Sequence, residues 1–278
     1  MCTTCGCGDE AGTRITDVSE GAQGHSHDHP HGHDHPHDRE HAQGHAHANG
    51  HSHEPKQTRT VLLEQQVLAK NDGLATDNRA WLAEREVLAV NLMSSPGAGK
   101  TTLLERTVRE LGRHVPVSVI EGDQETLFDA ERIRAAGSRV VQINTGQGCH
   151  LDAEMVGNAL RTLNPPNASV VFIENVGNLV CPALFDLGED NKVVIMSVTE
   201  GADKPLKYPH MFRAADLVLL NKIDLLPYVD FSMERFLGDV AKVNPKVEVL
   251  QLSATKGDGM QAWYDRLTSR VTATPFLP

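Results

Sequence analysis

The chain has no apolar run approaching the roughly 20 residues of a membrane-spanning helix. Its first residues also lack the basic start and apolar stretch of a secretion signal. A soluble, cytoplasmic protein with no membrane partner is expected. Basic residues are outnumbered and the formal net charge is −11. That excludes non-specific nucleic-acid binding through a basic surface. Cysteine is scarce and odd in number: the five are Cys2, Cys5, Cys7, Cys149 and Cys181. Without a secretion signal, this count argues against a disulfide framework and toward metal or redox chemistry. Between His25 and His53 there is no aliphatic side chain larger than alanine. Such a stretch cannot offset its ordering entropy by burial. Residues 1–56 are therefore expected to be a Cys/His-rich metal-binding tail, disordered without metal.

The remaining sequence has the apolar content for one sizeable core, since 40% of the 278 residues are hydrophobic. Residues 57–87 suggest two short helices, with Val61, Leu62, Val67 and Leu68 on one face, an interruption at Asn71-Asp72-Gly73, then Trp81, Leu82 and Arg85. From Val87 the pattern alternates between strand and helix. Strand candidates are 87–93, 115–120, 140–144, 170–174, 193–198, 217–221 and 247–252; helical segments separate most of them, for example 101–110, 153–163 and 258–269. The strands are continuous β-branched runs, as strands buried on both faces should be. The alternation predicts a mostly parallel sheet in a three-layer α/β/α domain over residues 88–278.

A phosphate-binding loop opens that domain. Ser94-Ser95-Pro96-Gly97-Ala98-Gly99-Lys100-Thr101 follows the first strand and begins a helix, with Ser94 where the P-loop pattern has glycine. Small residues let backbone N–H groups surround phosphate oxygens. Gly97, Ala98, Gly99 and Thr102 are candidate nucleotide contacts. Lys100 would supply charge to the β and γ phosphates, and the Thr101 hydroxyl would ligate Mg²⁺. Downstream, Asn221-Lys222-Ile223-Asp224 ends a strand as the N-K-x-D pattern that reads guanine. The Asp224 carboxylate would accept from guanine N1–H and the 2-amino group, which adenine cannot offer. Ser253 and Ala254 resemble the loop that closes over the base in GTPases. Asp123, at a strand end, is a candidate for holding Mg²⁺ directly or through water. Glu174 stands where GTPases carry the aspartate of D-x-x-G, and Gly177 would bond the γ-phosphate. Lys100, Asp123 and Glu174 form the candidate catalytic set.

Two sets of soft donors suggest transition metals. Cys2, Cys5 and Cys7 are strong ligands for late metals, and their spacing does not choose between Ni²⁺ and Zn²⁺. The interleaved His-x-His run suits many weak, exchangeable sites. Cys149 and His150 follow one strand and Cys181 follows the 174–177 segment. Either cysteine alone would suit a small buried position. If the 140–144 and 170–174 strands are neighbours, all three residues would share one sheet edge and feel the nucleotide state.

Together C-x-x-C-G-C, the His-rich tail, S-P-G-A-G-K-T-T, E-G-D-Q-x-T, G-x-G-C-H-L-D, E-N-V-G-N-L-V-C-P and N-K-I-D make the chain resemble the HypB family of nickel-incorporation GTPases, which serve nickel–iron hydrogenase maturation. The resemblance spans nearly the whole chain. It implies GTP hydrolysis, nickel delivery to the hydrogenase large subunit, a GTP- and metal-dependent homodimer, and a HypA-type metallochaperone partner. It also implies a Zn²⁺/Ni²⁺ site at Cys149, His150 and Cys181, and a tighter nickel site at Cys2, Cys5 and Cys7. A urease-type nickel GTPase of the UreG kind, and a nickel store with a vestigial GTPase, are the alternative readings.

Overall fold

The computed structural model describes residues 13–18, 59–123, 127–146 and 148–272. The chain starts with a short strand, β1 (Arg14–Asp17), and a long helix, α1 (Arg59–Glu84). It then alternates through β2 (Leu88–Ser94), α2 (Lys100–Leu111), β3 (Val117–Asp123), α3 (Phe128–Ala135), β4 (Arg139–Asn144), α4 (Ala153–Leu163), β5 (Val170–Glu174) and β6 (Asn191–Ser197). Two short helices, α5 (Lys204–Lys207) and α6 (Pro209–Ala214), precede β7 (Leu217–Asn221), α7 (Met233–Val243), β8 (Glu248–Gln251) and α8 (Met260–Thr272).

The strands form one eight-stranded sheet in the order β1-β4-β3-β5-β2-β6-β7-β8. All neighbours are parallel except β1, which pairs antiparallel with β4. Every residue of β5 and of β7 is buried, because helices cover both sheet faces. Alternate side chains of β2 show the division. Val90 and Leu92 pack with Leu103, Leu104 and Trp263 on one face. Ala89 packs with Leu82, Val156 and Leu160 on the other, and Met93 lies on that side with Phe212 and Phe236. The expected three-layer α/β/α arrangement is what forms.

Three local expectations need correction. The segment before the domain is one 26-residue helix rather than two. An interior glycine weakens a helix by only about 1 kcal/mol, and the neighbouring asparagines are held by tertiary bonds. Asn71 Nδ2 donates to Asp186 O (2.8 Å) and its Oδ1 accepts from Ala153 N (2.9 Å). Asn78 Nδ2 donates to Ala153 O (2.8 Å) and Leu187 O (3.0 Å). Gly73 therefore sits inside a helix that its neighbours anchor. Second, the 1–56 segment is not uniformly without structure. Arg14–Asp17 extends the sheet, and Ile15 packs against the core. Cys2, Cys5, Cys7 and the histidine run lie outside the described residues. Third, the 140–144 and 170–174 strands are not neighbours, because β3 lies between them. α3, α6 and α7 join the helices that the alternation calls for, and no helix among the described residues is long and apolar enough to cross a membrane.

Candidate functional site

The carboxyl ends of β2, β3, β5 and β7 meet at a cleft of about 550 Å³. Its floor is the turn between β2 and α2. Gly97 (φ 77°) and Gly99 (φ 96°) adopt left-handed backbone there, which only glycine enters without strain. Space is limiting too, since a Cβ on Gly99 would lie 2.6 Å from Asn221 Nδ2. The turn leaves the first N–H groups of α2 facing the cleft, an arrangement that favours phosphate oxygens. Lys100 is buried and donates to Ser94 Oγ at 3.0 Å. The serine at the position where the pattern expects glycine thus holds the lysine beside the loop.

The base end is wired to the same loop. Asn221 Nδ2 donates to Ala98 O (3.0 Å), while its Oδ1 accepts from Ala254 N (3.0 Å) and Lys222 N (2.7 Å). Lys222 Nζ donates to Gly97 O (2.7 Å). Asp224 lies in the first turn of the short 3₁₀ helix Ile223–Tyr228 and is half-buried. Ser253 is buried, and its N–H donates to Asp258 O (2.9 Å). Asn221 and Lys222 directly, and Ala254 through Asn221, are thereby joined to the phosphate loop.

At the phosphate end, Thr101 Oγ1 lies 2.8 Å from Glu174 Oε1 and 3.1 Å from Asp129 Oδ2. Glu174 is opposite Glu121 in the β3–β5 register, so both carboxyls share one face of the sheet. Burial, reinforced by the nearby Glu174 charge, pushes Glu121 up to about 9. Burial also raises Glu174, against the opposing pull of Lys100 and Thr101. Glu121 Oε2 and Glu174 Oε2 are buried without a hydrogen-bond partner. The Thr101 hydroxyl and the Glu121, Asp129 and Glu174 carboxyls line one cleft, and with two buried oxygens unsatisfied they fit a hard dication such as Mg²⁺. Asp123 and Thr102 line the same cleft. Gly177 lies over the loop, where a Cβ would come 3.1 Å from Pro96.

The soft donors gather one strand away. Cys149 Sγ is 3.1 Å from Cys181 Sγ and 3.6 Å from His150 Nδ1, and the three ligand atoms all lie within 4.8 Å of one another. The imidazole stacks on Phe185 with ring centroids 4.0 Å apart. Burial holds His150 below its usual range, against the opposing pull of Asp152, which favours the neutral ligating form. β3 separates the parent strands, yet all three end on the same side, so the loops close over it. Leu151 is wedged against the bare backbone of Gly122, where a Cβ would lie 2.9 Å from its methyl groups.

The sequence profile of the CobW/HypB/UreG nucleotide-binding domain matches residues 88–251. A hydrogenase maturation factor HypB from Azotobacter chroococcum mcd 1 is 58% identical over 207 residues, covering 74% of this chain and 68% of that protein. The chain belongs to the HypB family. Among solved structures, HypB from Archaeoglobus fulgidus is similar with a TM-score of 0.69 and 40% identity, over 73% of this chain and all of that one. HypB from Helicobacter pylori in complex with nickel gives 0.69 and 35%, over 73% and 95% of the two chains.

Several HypB-site residues escaped sequence reasoning. Asp129 reaches Thr101 from the first turn of α3, a contact that no local pattern marks. Glu121, two residues before Asp123, reads in the sequence as an ordinary strand residue. Asn175 and Asn178 look like ordinary turn residues, yet they hold the Cys149–Leu151 loop. Asn175 Oδ1 accepts from Leu151 N (3.2 Å) and Val176 N (3.0 Å), and Asn178 Nδ2 donates to Cys149 O (3.3 Å).

Proposed function

We propose that this HypB-family chain hydrolyses GTP to GDP and phosphate and uses that cycle to gate nickel delivery to the large subunit of nickel–iron hydrogenase. The observation that carries the reading is Asn175. It stands between Glu174 and Gly177 of the phosphate end, and its side chain bonds the backbone of the Cys149–Leu151 loop. A shift of the 174–177 segment on γ-phosphate loss therefore moves a cysteine loop.

Lys100 and the N–H groups of residues 97–102 hold the phosphates, and Gly177 senses the terminal one. Thr101, Asp123, Asp129 and Glu174 would hold Mg²⁺, which supplies charge neutralisation to the phosphates during transfer. Asp224 selects guanine. Cys149, His150 and Cys181 carry Ni²⁺ as cargo, with Zn²⁺ as a competitor for the same thiolates. Three protein donors among the described residues suit cargo, since a remaining position lets a receiving ligand enter. The Cys2, Cys5 and Cys7 cluster and the histidines capture and store nickel. β1 favours that role: Arg14, seven residues past Cys7, pairs with Asn144 at the end of β4 that leads to Cys149. The working unit is a GTP- and metal-dependent homodimer in the cytoplasm, receiving nickel with a HypA-type partner. A second reading, nickel supply to urease, draws on a relative from Helicobacter hepaticus, 40% identical and named a hydrogenase/urease maturation factor.

The test uses the full chain with Cys2, Cys5 and Cys7 changed to serine, so that thiolate-to-nickel absorption reports only Cys149 and Cys181. Nickel is titrated with GDP and with a non-hydrolysable GTP analogue. Different affinities are expected; equal affinities with equal oligomeric state would sink the gating idea. Hydrogenase rather than urease activity, restored in a deletion strain at low nickel, separates the two recipients. Full rescue by Lys100→Ala there would make storage the main role.

A further inference from the structure

We propose that Arg106 is a positioning residue for base recognition, tying the 253–257 loop to the helix that carries Lys100. The inference rests on the guanine-nucleotide reading above. Arg106 lies six residues beyond Lys100 on α2, about 9 Å along the axis. Its Nη1 donates to Ala254 O (3.1 Å) and to Thr255 O (3.2 Å). Its Nε donates to Glu110 Oε1 (2.8 Å), one turn further along the same helix, which orients the guanidinium toward the loop.

The loop is shaped to receive this group. Gly257 adopts φ +96°, and a Cβ there would stand 2.6 Å from Arg106 Nη2. Within the loop, Ser253 N donates to Asp258 O and Gly257 N to Ser253 O, which closes the turn on itself without anchoring it. Two anchors come from outside. One is Asn221, which holds Ala254 N and reaches Ala98 O in the phosphate loop. The other is Arg106. The path from Ala98 through Asn221 and Ala254 to Arg106, then back along α2 to Lys100, is a closed frame. The base and phosphate subsites are therefore set at a fixed separation. A lysine at 106 supplies one compact ammonium and cannot span two carbonyls and Glu110 with a planar fork. The pair with Glu110 is partly solvated, with side chains 27% and 35% exposed, so its share of folding stability is small. The effect belongs to loop order and hence to binding.

The experiment compares the full chain with Arg106→Ala and Arg106→Lys, measuring affinity for GDP and for inorganic triphosphate with Mg²⁺, and kcat and KM for GTP. For Arg106→Ala, GDP binding is expected to weaken about ten-fold, the loss of roughly one hydrogen-bonded contact. KM is expected to rise in step, while triphosphate affinity and kcat stay within about two-fold. Arg106→Lys should recover only part of the GDP affinity, at an unchanged melting temperature. GDP affinity unchanged in Arg106→Ala, or equal weakening for GDP and triphosphate, overturns the proposal, since equal weakening means a distorted helix. If Arg106→Ala does not fold, Arg106→Lys decides: weaker GDP binding supports the proposal and wild-type GDP binding overturns it. A wild-type chain binding ADP as tightly as GDP overturns the guanine reading itself, before any variant is compared.

Discussion

The side-chain oxygen of Asn175 accepts a hydrogen bond from the backbone N–H of Leu151 at 3.2 Å. One residue lies between the phosphate end of the cleft and the cysteine loop, and it touches both. Beneath it, Asn175 Nδ2 donates to Asn91 Oδ1 (3.3 Å), and Asn91 Nδ2 donates to Glu189 Oε1 (3.0 Å). Buried polar chains of this kind admit few arrangements, because a half-satisfied state leaves a desolvated group unpaired.

Asn175→Ala removes the acceptor for Leu151 N and Val176 N. Leaving buried N–H groups unpaired is expected to cost about 1–3 kcal/mol of stability. The nickel affinities measured with GDP and with a GTP analogue should also converge. Thermal unfolding and the thiolate–nickel titration read the two effects separately. Retention of the full affinity difference in the variant would remove Asn175 from the coupling.

Asp224→Asn exchanges a carboxylate for an amide. Guanine loses one acceptor for its paired donors, whereas xanthine, with a 2-oxo group, gains a donor. The guanine preference should fall by at least about 100-fold and xanthosine triphosphate should become the better substrate, at roughly 1–3 kcal/mol for each mismatched polar pair. Competition between the two triphosphates in a hydrolysis assay measures this.

Gly99→Ala places a Cβ 2.6 Å from Asn221 Nδ2 at φ 96°. Strain of about 1–3 kcal/mol, with displacement of Asn221, is expected. Nucleotide affinity should drop more than stability does, because Asn221 anchors both subsites. Calorimetric titration with GDP beside a melting curve checks the order of the two losses.

Asp186 supplies a pH test away from the metal ligands. Burial raises it, but the Arg79 bond (2.7 Å) and the Gly188 N–H (2.9 Å) outweigh burial and hold its carboxyl below the ordinary 3.8. A depressed carboxylate stabilises the fold above the unfolded value and loses that contribution as pH falls through the folded one. Docking of α1 should therefore weaken below about pH 4. Asp186→Asn should flatten the stability profile in that window and lower stability at neutral pH, as read by denaturant unfolding between pH 2 and 7.

The phosphate loop and N-K-x-D were legible because each is a local pattern whose chemistry needs those residue types in sequence. The buried strands were legible for a related reason. Residues such as Val170 and Leu217 are apolar on both faces, and only a covered parallel sheet accepts such runs. Asp129 was not legible, since its role depends on how α3 swings its first turn toward Thr101. Nor was the single helix through Gly73, which depends on Asn71 and Asn78 finding carbonyl and amide partners far along the chain.

What the sequence determined by itself, then, is the alternation of elements and the chemistry each strand end carries. The tertiary structure alone decided how those ends combine. Strand order is set by long-range packing rather than by local pattern. Here it places β3 between β4 and β5, so the cysteine loops meet only by reaching across an intervening strand. The reach works because Gly122 leaves room for Leu151 and Asn175 supplies the bond that holds it.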